Sequence, residues 1–129
     1  LPNGSLDKIE ELASRIRRLH GGMEVTTVGL DDSGLEGLAA KADLIVNTTS
    51  LGLKDTDPSP LPAGCFTSRH LVYDTIYRPL TAFQKAARDA GARVGTGQAM
   101  LLHQGVKAFQ TWFPGHAPLA AMRRGLAGS

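Results

Sequence analysis

The stretch DLIVNTTSLGL, residues 43–53, decides the fold class of this chain. It begins with an apolar run at 44–46 that is mostly β-branched, as β-strands are. The apolar residues do not alternate with polar ones, which is typical of a strand whose sheet is covered on both faces. The strand then ends in a cluster of small polar residues at 47–50. A loop rich in proline and glycine follows at 51–66.

Hydrophobic periodicity and turn residues predict further elements on either side of this strand. The predicted helices are 6–20, 33–41, 80–90, 98–113 and 117–126, and the predicted strands are 23–30, 43–47, 70–77 and 92–97. The expected N-caps are Ser5 and Ser33, and the expected helix stops are Gly21-Gly22, Gly91 and Pro114-Gly115. Such alternation of helices and strands predicts an α/β fold with a mostly parallel sheet and helices on both faces.

Ligands of open parallel sheets bind beyond the carboxyl ends of the strands. Asn47, Thr48, Thr49 and Ser50 follow the strand at 43–47 and therefore lie at that edge. Their side chains have two roles open to them on position alone. They could bind a ligand, or they could close a turn and bond their own backbone.

Composition indicates one ordinary globular domain rather than a nucleic-acid binder. The chain has 129 residues, of which 42% are hydrophobic and 20% charged, with a net charge of +2. The charge is uneven, because residues 1–64 carry 6 basic and 10 acidic side chains while residues 65–129 carry 8 basic and 2 acidic ones. The basic half would suit an anionic ligand or would simply be a solvated surface.

The lone cysteine, Cys65, excludes a disulfide within the chain and is typical of a reducing compartment, so we expect a cytoplasmic protein. No apolar run is long enough to span a membrane, and the first residues do not resemble a signal peptide. Because the chain starts at Leu1 rather than at methionine, we expect that upstream residues are missing.

Several nucleotide-site and metal-site motifs are missing from the sequence. There is no G-x-G-x-x-G, P-loop or G-x-S-x-G motif, and the four histidines lack the spacing of a metal site. Gly95-Thr96-Gly97 follows a predicted strand but has no third glycine at the required place. If the fold binds a nucleotide, its first β-α unit is therefore outside this chain.

Four segments resemble the C-terminal, NADP-binding half of the shikimate dehydrogenase family. They are NGSLDKIEELA (3–13), ADLIVNTTSLGL (42–53), VYDTIYRPLTAF (72–83) and GTGQAMLLHQGVKAF (95–109). The third is similar to the family pattern Val-Tyr-Asp-x-x-Tyr-x-Pro, and the fourth to Met-Leu-x-x-Gln. Order and separations agree over nearly the whole chain, and the last three segments in series make the resemblance specific.

The resemblance implies a Rossmann-like domain that, together with a substrate domain, reduces 3-dehydroshikimate to shikimate with NADPH. The family's catalytic lysine and aspartate belong to the substrate domain, so we expect no catalytic residue in this chain. We expect no metal site, nucleic-acid partner or membrane partner, and a monomer or homodimer. Residues 1–129 would then be a partial nucleotide-binding domain, inactive alone, whose helices at 98–129 pack toward the substrate domain.

The same resemblance implies roles for particular residues. Cofactor contacts are expected at Asn3, Ser5, Asn47, Thr48, Thr49, Thr75 and Gly97, and substrate contacts at Tyr77 and Gln104. Gly97 would leave room for the nicotinamide. Tyr77 could instead pack at the sheet edge, and Gln104 could be bonded within the protein; His103 is expected at the surface or in packing.

Gly4 stands where the family has an arginine that reads the 2′-phosphate. Two alternatives therefore stay open. One is a quinate/shikimate dehydrogenase that prefers NAD, and the other is a nucleotide-binding fragment without catalysis.

Overall fold

The structure is a computed structural model that describes residues 3–128, and side chains from residue 7 onward. Its helices are α1 (Asn3–Leu19), α2 (Leu35–Ala39), α3 (Ala82–Asp89), α4 (Gln98–Trp112) and α5 (Leu119–Ala127). Its strands are β1 (Leu44–Asn47), β2 (Leu71–Asp74) and β3 (Arg93–Thr96), and a short 3-10 helix at Ala63–Cys65 interrupts the loop before β2. All five predicted helices and three of the four predicted strands are confirmed, with ends shifted by a few residues.

The three strands form one parallel sheet in the order β1-β2-β3. Leu44 pairs with Leu71 at the start of β1 and β2, and Asn47 pairs with Asp74 at their ends. Asp74 in turn pairs with Thr96, the last residue of β3. The carboxyl ends of all three strands therefore lie side by side at one edge, as the predicted α/β fold requires.

The main core lies between this sheet and α3. Val72, Phe83 and Ala87 are completely or almost completely buried there, and Phe66 closes the cluster. The Phe66 and Phe83 rings meet edge to face, with centroids 5.3 Å apart and an angle of 79° between their planes. Helix α3 is held against the sheet because it turns this apolar stripe inward.

The opposite face of the sheet is open in the part of the chain that the structure describes. Leu44 and Val46 are exposed on it, and so is Leu71, which pairs with Leu44. A second layer of helices over this face, as the unalternating apolar run at 44–46 predicts, stays a prediction. No helix within residues 3–128 combines the length and apolar character of a membrane span.

The predicted strand at 23–30 is wrong. Residues 23–29 have no regular structure, because no strand among the described residues lies beside them to form a ladder. Side chains of α1 hold the segment instead: the Arg17 guanidinium donates to the Val25 carbonyl oxygen from Nε at 3.2 Å and Nη2 at 2.6 Å. The Thr27 hydroxyl donates to Glu10 Oε2 at 2.7 Å.

Both predicted N-caps are also wrong. Ser5 lies inside α1, which begins at Asn3, and its side chain is outside the described residues. Helix α2 begins at Leu35 after Gly34, whose N–H donates to Asp32 Oδ1 at 2.7 Å, so Asp32 turns the chain in place of Ser33. The helix stops are confirmed, and Gly91 after α3 has the positive φ of 79° that glycine tolerates best.

Candidate functional site at the carboxyl edge of the sheet

Asn47 ends β1 and uses every hydrogen-bonding group of its side chain within the protein. Its Nδ2 donates to the Leu51 carbonyl oxygen at 3.2 Å and to Asp74 Oδ1 at 2.9 Å. Its Oδ1 accepts from the N–H and the hydroxyl of Thr49, at 3.0 Å and 2.8 Å. Because an amide side chain has two donors and two lone pairs, no group is left for a ligand. The Asn47 side chain therefore shapes the turn, and its expected contact with a cofactor stays a prediction.

The threonines after β1 and β2 differ in how free their hydroxyls are. Thr49 donates to Asn47 and accepts from the Leu51 N–H at 3.2 Å, so its hydroxyl belongs to the turn. The Thr75 hydroxyl donates to the Asn47 carbonyl oxygen at 2.8 Å and keeps its acceptor lone pairs. Thr48 is exposed, and its side chain has no hydrogen-bond partner among the described residues. The hydroxyls of Thr48 and of Ser50, which is also exposed and has no side-chain partner in the described range, are therefore fully available to a ligand.

Asp74 ends β2 as a completely buried carboxylate surrounded by four donors. Its Oδ1 accepts from Asn47 Nδ2 and, at 3.1 Å, from the Ile76 N–H. Its Oδ2 accepts from the Thr81 hydroxyl at 2.7 Å and from Gln84 Nε2 at 3.0 Å. One carboxylate thus joins the turn after β1, the chain after β2 and the first turn of α3.

The turn between Tyr77 and Thr81 leads from β2 into α3. Leu80 has a φ of 57°, the one positive φ at a residue other than glycine within the described range. Thr81 caps α3, because its hydroxyl accepts from the Gln84 N–H at 3.2 Å. Tyr77 is 51% exposed, and its phenol has no hydrogen-bond partner among the described residues, so it stands free at the site edge.

Beside Tyr77 lies a cleft of about 330 Å³. Its lining combines the phenol of Tyr77 with two arginines, two glutamines and the end of β3; the members are Tyr77, Arg78, Pro79, Leu80, Gln84, Arg88, Thr96 and Gln98. Arg78 also bonds the Leu53 carbonyl oxygen at 2.5 Å and pairs with Asp55. The basic character of the second half of the chain is therefore partly gathered at this edge.

The loop after β1 is fixed by another carboxylate, that of Asp57. Its Oδ2 accepts from the Gly52 N–H at 3.0 Å and from the Lys54 N–H at 2.9 Å. The bonds from Lys54 and Gly52, in that order, lower the pKa of Asp57 from 3.8, because both stabilise the charged form. The loop at 51–57 is thus ordered by its own side chains rather than by regular structure.

Gly97 links β3 to α4 and touches the end of β2. A Cβ on Gly97 would lie 2.0 Å from the Thr75 carbonyl oxygen and 2.6 Å from its carbon, far inside van der Waals contact. The absence of a side chain at Gly97 is therefore required by the neighbouring backbone. The expectation that a side chain there would also crowd a nicotinamide stays a prediction.

No family model matches the chain. It is 40% identical over 119 residues to the NADP⁺ shikimate dehydrogenase of Rubrobacter xylanophilus, covering 91% of this chain and 40% of that enzyme. The chain belongs to the shikimate dehydrogenase family. It corresponds to a C-terminal part of the family's proteins and spans less than half the length of this relative.

Solved structures of this family share the fold. The shikimate 5-dehydrogenase of Thermus thermophilus, in complex with NADP(H) and shikimate, has a TM-score of 0.63 at 33% identity, covering 89% of this chain and 42% of that one. The quinate dehydrogenase of Corynebacterium glutamicum, in complex with NAD, has a TM-score of 0.74 at 30% identity, covering 93% and 42%. The Rossmann-like fold is thereby confirmed.

One residue that the shikimate dehydrogenase resemblance assigns to the site, Gln104, lies apart from the ends of the strands. Gln104 lies on α4, about 10 Å along the helix axis from its first turn at 1.5 Å per residue. It is exposed and has no side-chain partner within the described range, so it is not bonded inside the protein, as the alternative reading required. His103 is exposed beside Arg123 in a small pocket of about 240 Å³ between α4 and α5, as expected for a surface histidine.

Two other assigned residues, Asn3 and Ser5, have side chains outside the described residues, so their expected cofactor contacts stay predictions. Sequence reasoning missed Asp74 and Gln84 as site-forming residues. The signal for both was a charged or amide residue within an otherwise apolar strand or helix face. Among the described residues, no three His, Cys, Asp or Glu side chains are close enough to hold a metal ion.

Proposed function

We propose that this chain is the nucleotide-binding part of an NADP-dependent shikimate dehydrogenase, which interconverts 3-dehydroshikimate and shikimate. The observation that carries the proposal is the shared carboxyl edge of the three parallel strands. There Thr48 follows β1, Tyr77 follows β2 and Gly97 follows β3, with register pairs fixing the strand ends side by side. Open α/β sheets bind their ligands at this edge. The proposed reaction itself is inferred from membership of the shikimate dehydrogenase family.

The residues at this edge fit a dinucleotide. Thr48 offers a free hydroxyl, and Thr75 offers acceptor lone pairs, which match the hydroxyl, phosphate and amide groups of a cofactor. Asn3 and Ser5 complete the proposed set at the start of α1, where a helix N-terminus favours an anion. When bound, NADP carries the hydride, and this chain would bind and orient it.

Tyr77 and Gln104 are the proposed substrate contacts. Both are exposed and without hydrogen-bond partners in the described part of the chain, so both can bond the hydroxyls of a polyol acid without losing an internal contact. The proton donor would come from the substrate domain of the complete protein. Exposed apolar side chains of α4, Met100 and Leu101, support the proposal that residues 98–129 pack toward that domain.

Two alternatives rest on specific observations. Gly4 in place of the family's arginine, together with the likeness to an NAD-bound quinate dehydrogenase, supports a quinate/shikimate dehydrogenase that prefers NAD. Gly4, together with the absence of the G-x-G-x-x-G motif from residues 1–129, keeps a nucleotide-binding fragment without catalysis as the second alternative. A cytoplasmic location and a monomeric or homodimeric state complete the proposal. The free cysteine fits a reducing compartment: Cys65 is buried, and burial raises the pKa of its thiol.

The first test is the reduction of NADP and NAD by the complete protein, with shikimate and with quinate as separate substrates. Reduction of NADP by shikimate at the highest kcat/KM supports the main proposal. A higher kcat/KM with NAD identifies the first alternative. No reduction in any of the four combinations, with cofactor binding intact, identifies the second.

The second test concerns Gln104. Gln104→Ala in the complete protein should raise KM for shikimate about tenfold, as for a lost hydrogen bond to a substrate, and leave KM for NADP unchanged. Gln110→Ala, the same change on the same helix, is the matched control and should leave both constants unchanged. Equal effects of Gln104→Ala on the two KM values would remove Gln104 from the substrate site.

A further inference from the structure

Gln84 is a polar side chain completely buried on the inner face of α3, between the apolar residues Phe83 and Ala87. Its Nε2 donates to Asp74 Oδ2 at 3.0 Å and to the Arg78 carbonyl oxygen at 3.2 Å. Its Oε1 accepts from the Leu80 N–H at 3.0 Å. The burial of an amide costs stability unless it is bonded, so the three bonds are what keeps a glutamine at this position.

The bonds of Gln84 hold the backbone in the middle of the turn between Tyr77 and Thr81. The one amide group of Gln84 bonds both the Arg78 carbonyl oxygen and the Leu80 N–H. Leu80 has the disfavoured φ of 57°. The Leu80 side chain is 57% exposed, so packing does not impose this conformation. Such backbone conformations persist where neighbouring contacts enforce them. Here the enforcing contacts are the hydrogen bonds of Gln84.

The same turn positions Tyr77. The phenol has no bond of its own, so its place is set by the backbone on both sides. On one side, Ile76 is anchored by its N–H on Asp74 and by its carbonyl oxygen, which accepts from the Gly97 N–H at 3.2 Å. On the other side, Gln84 anchors the Arg78 backbone through its carbonyl oxygen, while the Arg78 side chain is held separately by Leu53 and Asp55. Loss of Gln84 would release one of these two anchors.

We propose that Gln84 is a positioning residue that aims the Tyr77 phenol at the substrate. The inference rests on the proposed function, in which Tyr77 contacts the substrate. It goes further in assigning specificity to a completely buried residue whose amide is bonded within the protein. Asn47 holds the turn after β1, with Thr48, by its bonds to Leu51 and Thr49, and it meets Gln84 only indirectly, through the carboxylate of Asp74. Gln84 should therefore affect the substrate and spare the cofactor.

The test is Gln84→Met in the complete protein, because methionine keeps the length and volume of the side chain and removes its three hydrogen bonds. We expect KM for shikimate to rise about tenfold or kcat to fall by a similar factor, with KM for NADP unchanged. Ala87→Gly is the matched control, since it weakens the same helix without touching the turn. Equal changes for the two variants, or an equal rise in both KM values, would overturn the inference.

A double-mutant cycle shows whether Gln84 acts through Tyr77. In a Tyr77→Phe background, Gln84→Met should have little further effect on KM for shikimate, because the phenol that it positions is gone. Additive effects of the two substitutions would mean that Gln84 does not act through this phenol and would refute the proposal.

A measurement without activity separates this inference from the proposed function. Hydrogen exchange of the Leu80 amide should be about tenfold faster in Gln84→Met than in Ala87→Gly, because the amide loses its acceptor. If the wild-type protein fails to oxidise shikimate while Leu80 exchange accelerates as expected, the proposed function fails and the anchoring by Gln84 stands. Unchanged exchange in Gln84→Met refutes the anchoring itself, whatever the activity.

Discussion

Asp74→Asn is the substitution whose effect the geometry defines most sharply. The carboxylate is completely buried and accepts four hydrogen bonds, from Asn47, Ile76, Thr81 and Gln84. An asparagine keeps the shape but places an NH₂ group where an acceptor stood. The Ile76 N–H cannot turn into an acceptor, so the NH₂ must face Thr81 and Gln84.

On that side the Thr81 hydroxyl can rotate, but Gln84 Nε2 meets another donor. The loss comprises one charge-assisted bond and one buried donor without a partner. At about 1.5 to 3 kcal/mol for the first and 1 to 3 for the second, with partial relaxation, we expect about 3 kcal/mol. This is a large share of the roughly 5 to 15 kcal/mol that stabilises a typical domain.

The assay is urea unfolding of the complete protein, followed by circular dichroism, with Asp57→Asn as the matched control. Asp57 is also a carboxylate with backbone donors, but it stands at an exposed loop, so its replacement should cost less. A midpoint for Asp74→Asn equal to that of the wild type, or to that of Asp57→Asn, would refute the reasoning that Asp74 joins the two turns.

Three further predictions test the edge of the sheet. Gly97→Ala should destabilise the protein by more than about 3 kcal/mol in urea unfolding, because its Cβ would meet the Thr75 carbonyl oxygen at 2.0 Å. Gly105→Ala on α4 is the control, because a Cβ there would make only an ordinary van der Waals contact, and it should stabilise the protein slightly. Similar effects of the two substitutions on stability would contradict the clash at Gly97. Leu80→Gly should raise stability by up to about 1 kcal/mol through release of the positive φ, whereas Leu80→Ala should not. The lowered pKa of Asp57 adds stability that is complete above its ordinary value of 3.8 and is lost as the pH falls through the folded value; acid unfolding of Asp57→Asn should lack this component.

Local elements could be predicted because their signals are local. Periodic apolar residues define α1 and α4, and the unalternating run at 44–46 defines β1. The segment at 23–30 has an equally good strand pattern, yet it is not a strand, because strand structure depends on a neighbour that a single segment's pattern does not specify. The predicted cap at Ser33 failed because the helix begins one residue later than expected, after Gly34, whose N–H is bonded by Asp32.

The sequence predicted the edge of the sheet at which the candidate site lies, but not the hydrogen bonds within it. The polar residues after β1 marked the edge correctly, since strand ends of a parallel sheet are aligned by the fold. Which polar groups are bonded internally depends on partners far along the chain, such as Asp74, which is 27 residues from Asn47. The sequence could not show that Gly97 packs against the carbonyl of Thr75, because no motif specifies that contact.

The structure shows the turn-forming role for two members of the polar cluster, and the ligand-binding role stays a prediction. Asn47 and Thr49 use their groups within the turn, and Thr48 between them is left exposed and free. The bonds of Asn47 and Thr49 fix the backbone on both sides of Thr48. In the proposed function, a ligand would therefore have to order only the Thr48 side chain, so binding would lose less conformational entropy, as in other preorganised sites. On that proposal, the internal bonds of Asn47 would serve ligand binding indirectly.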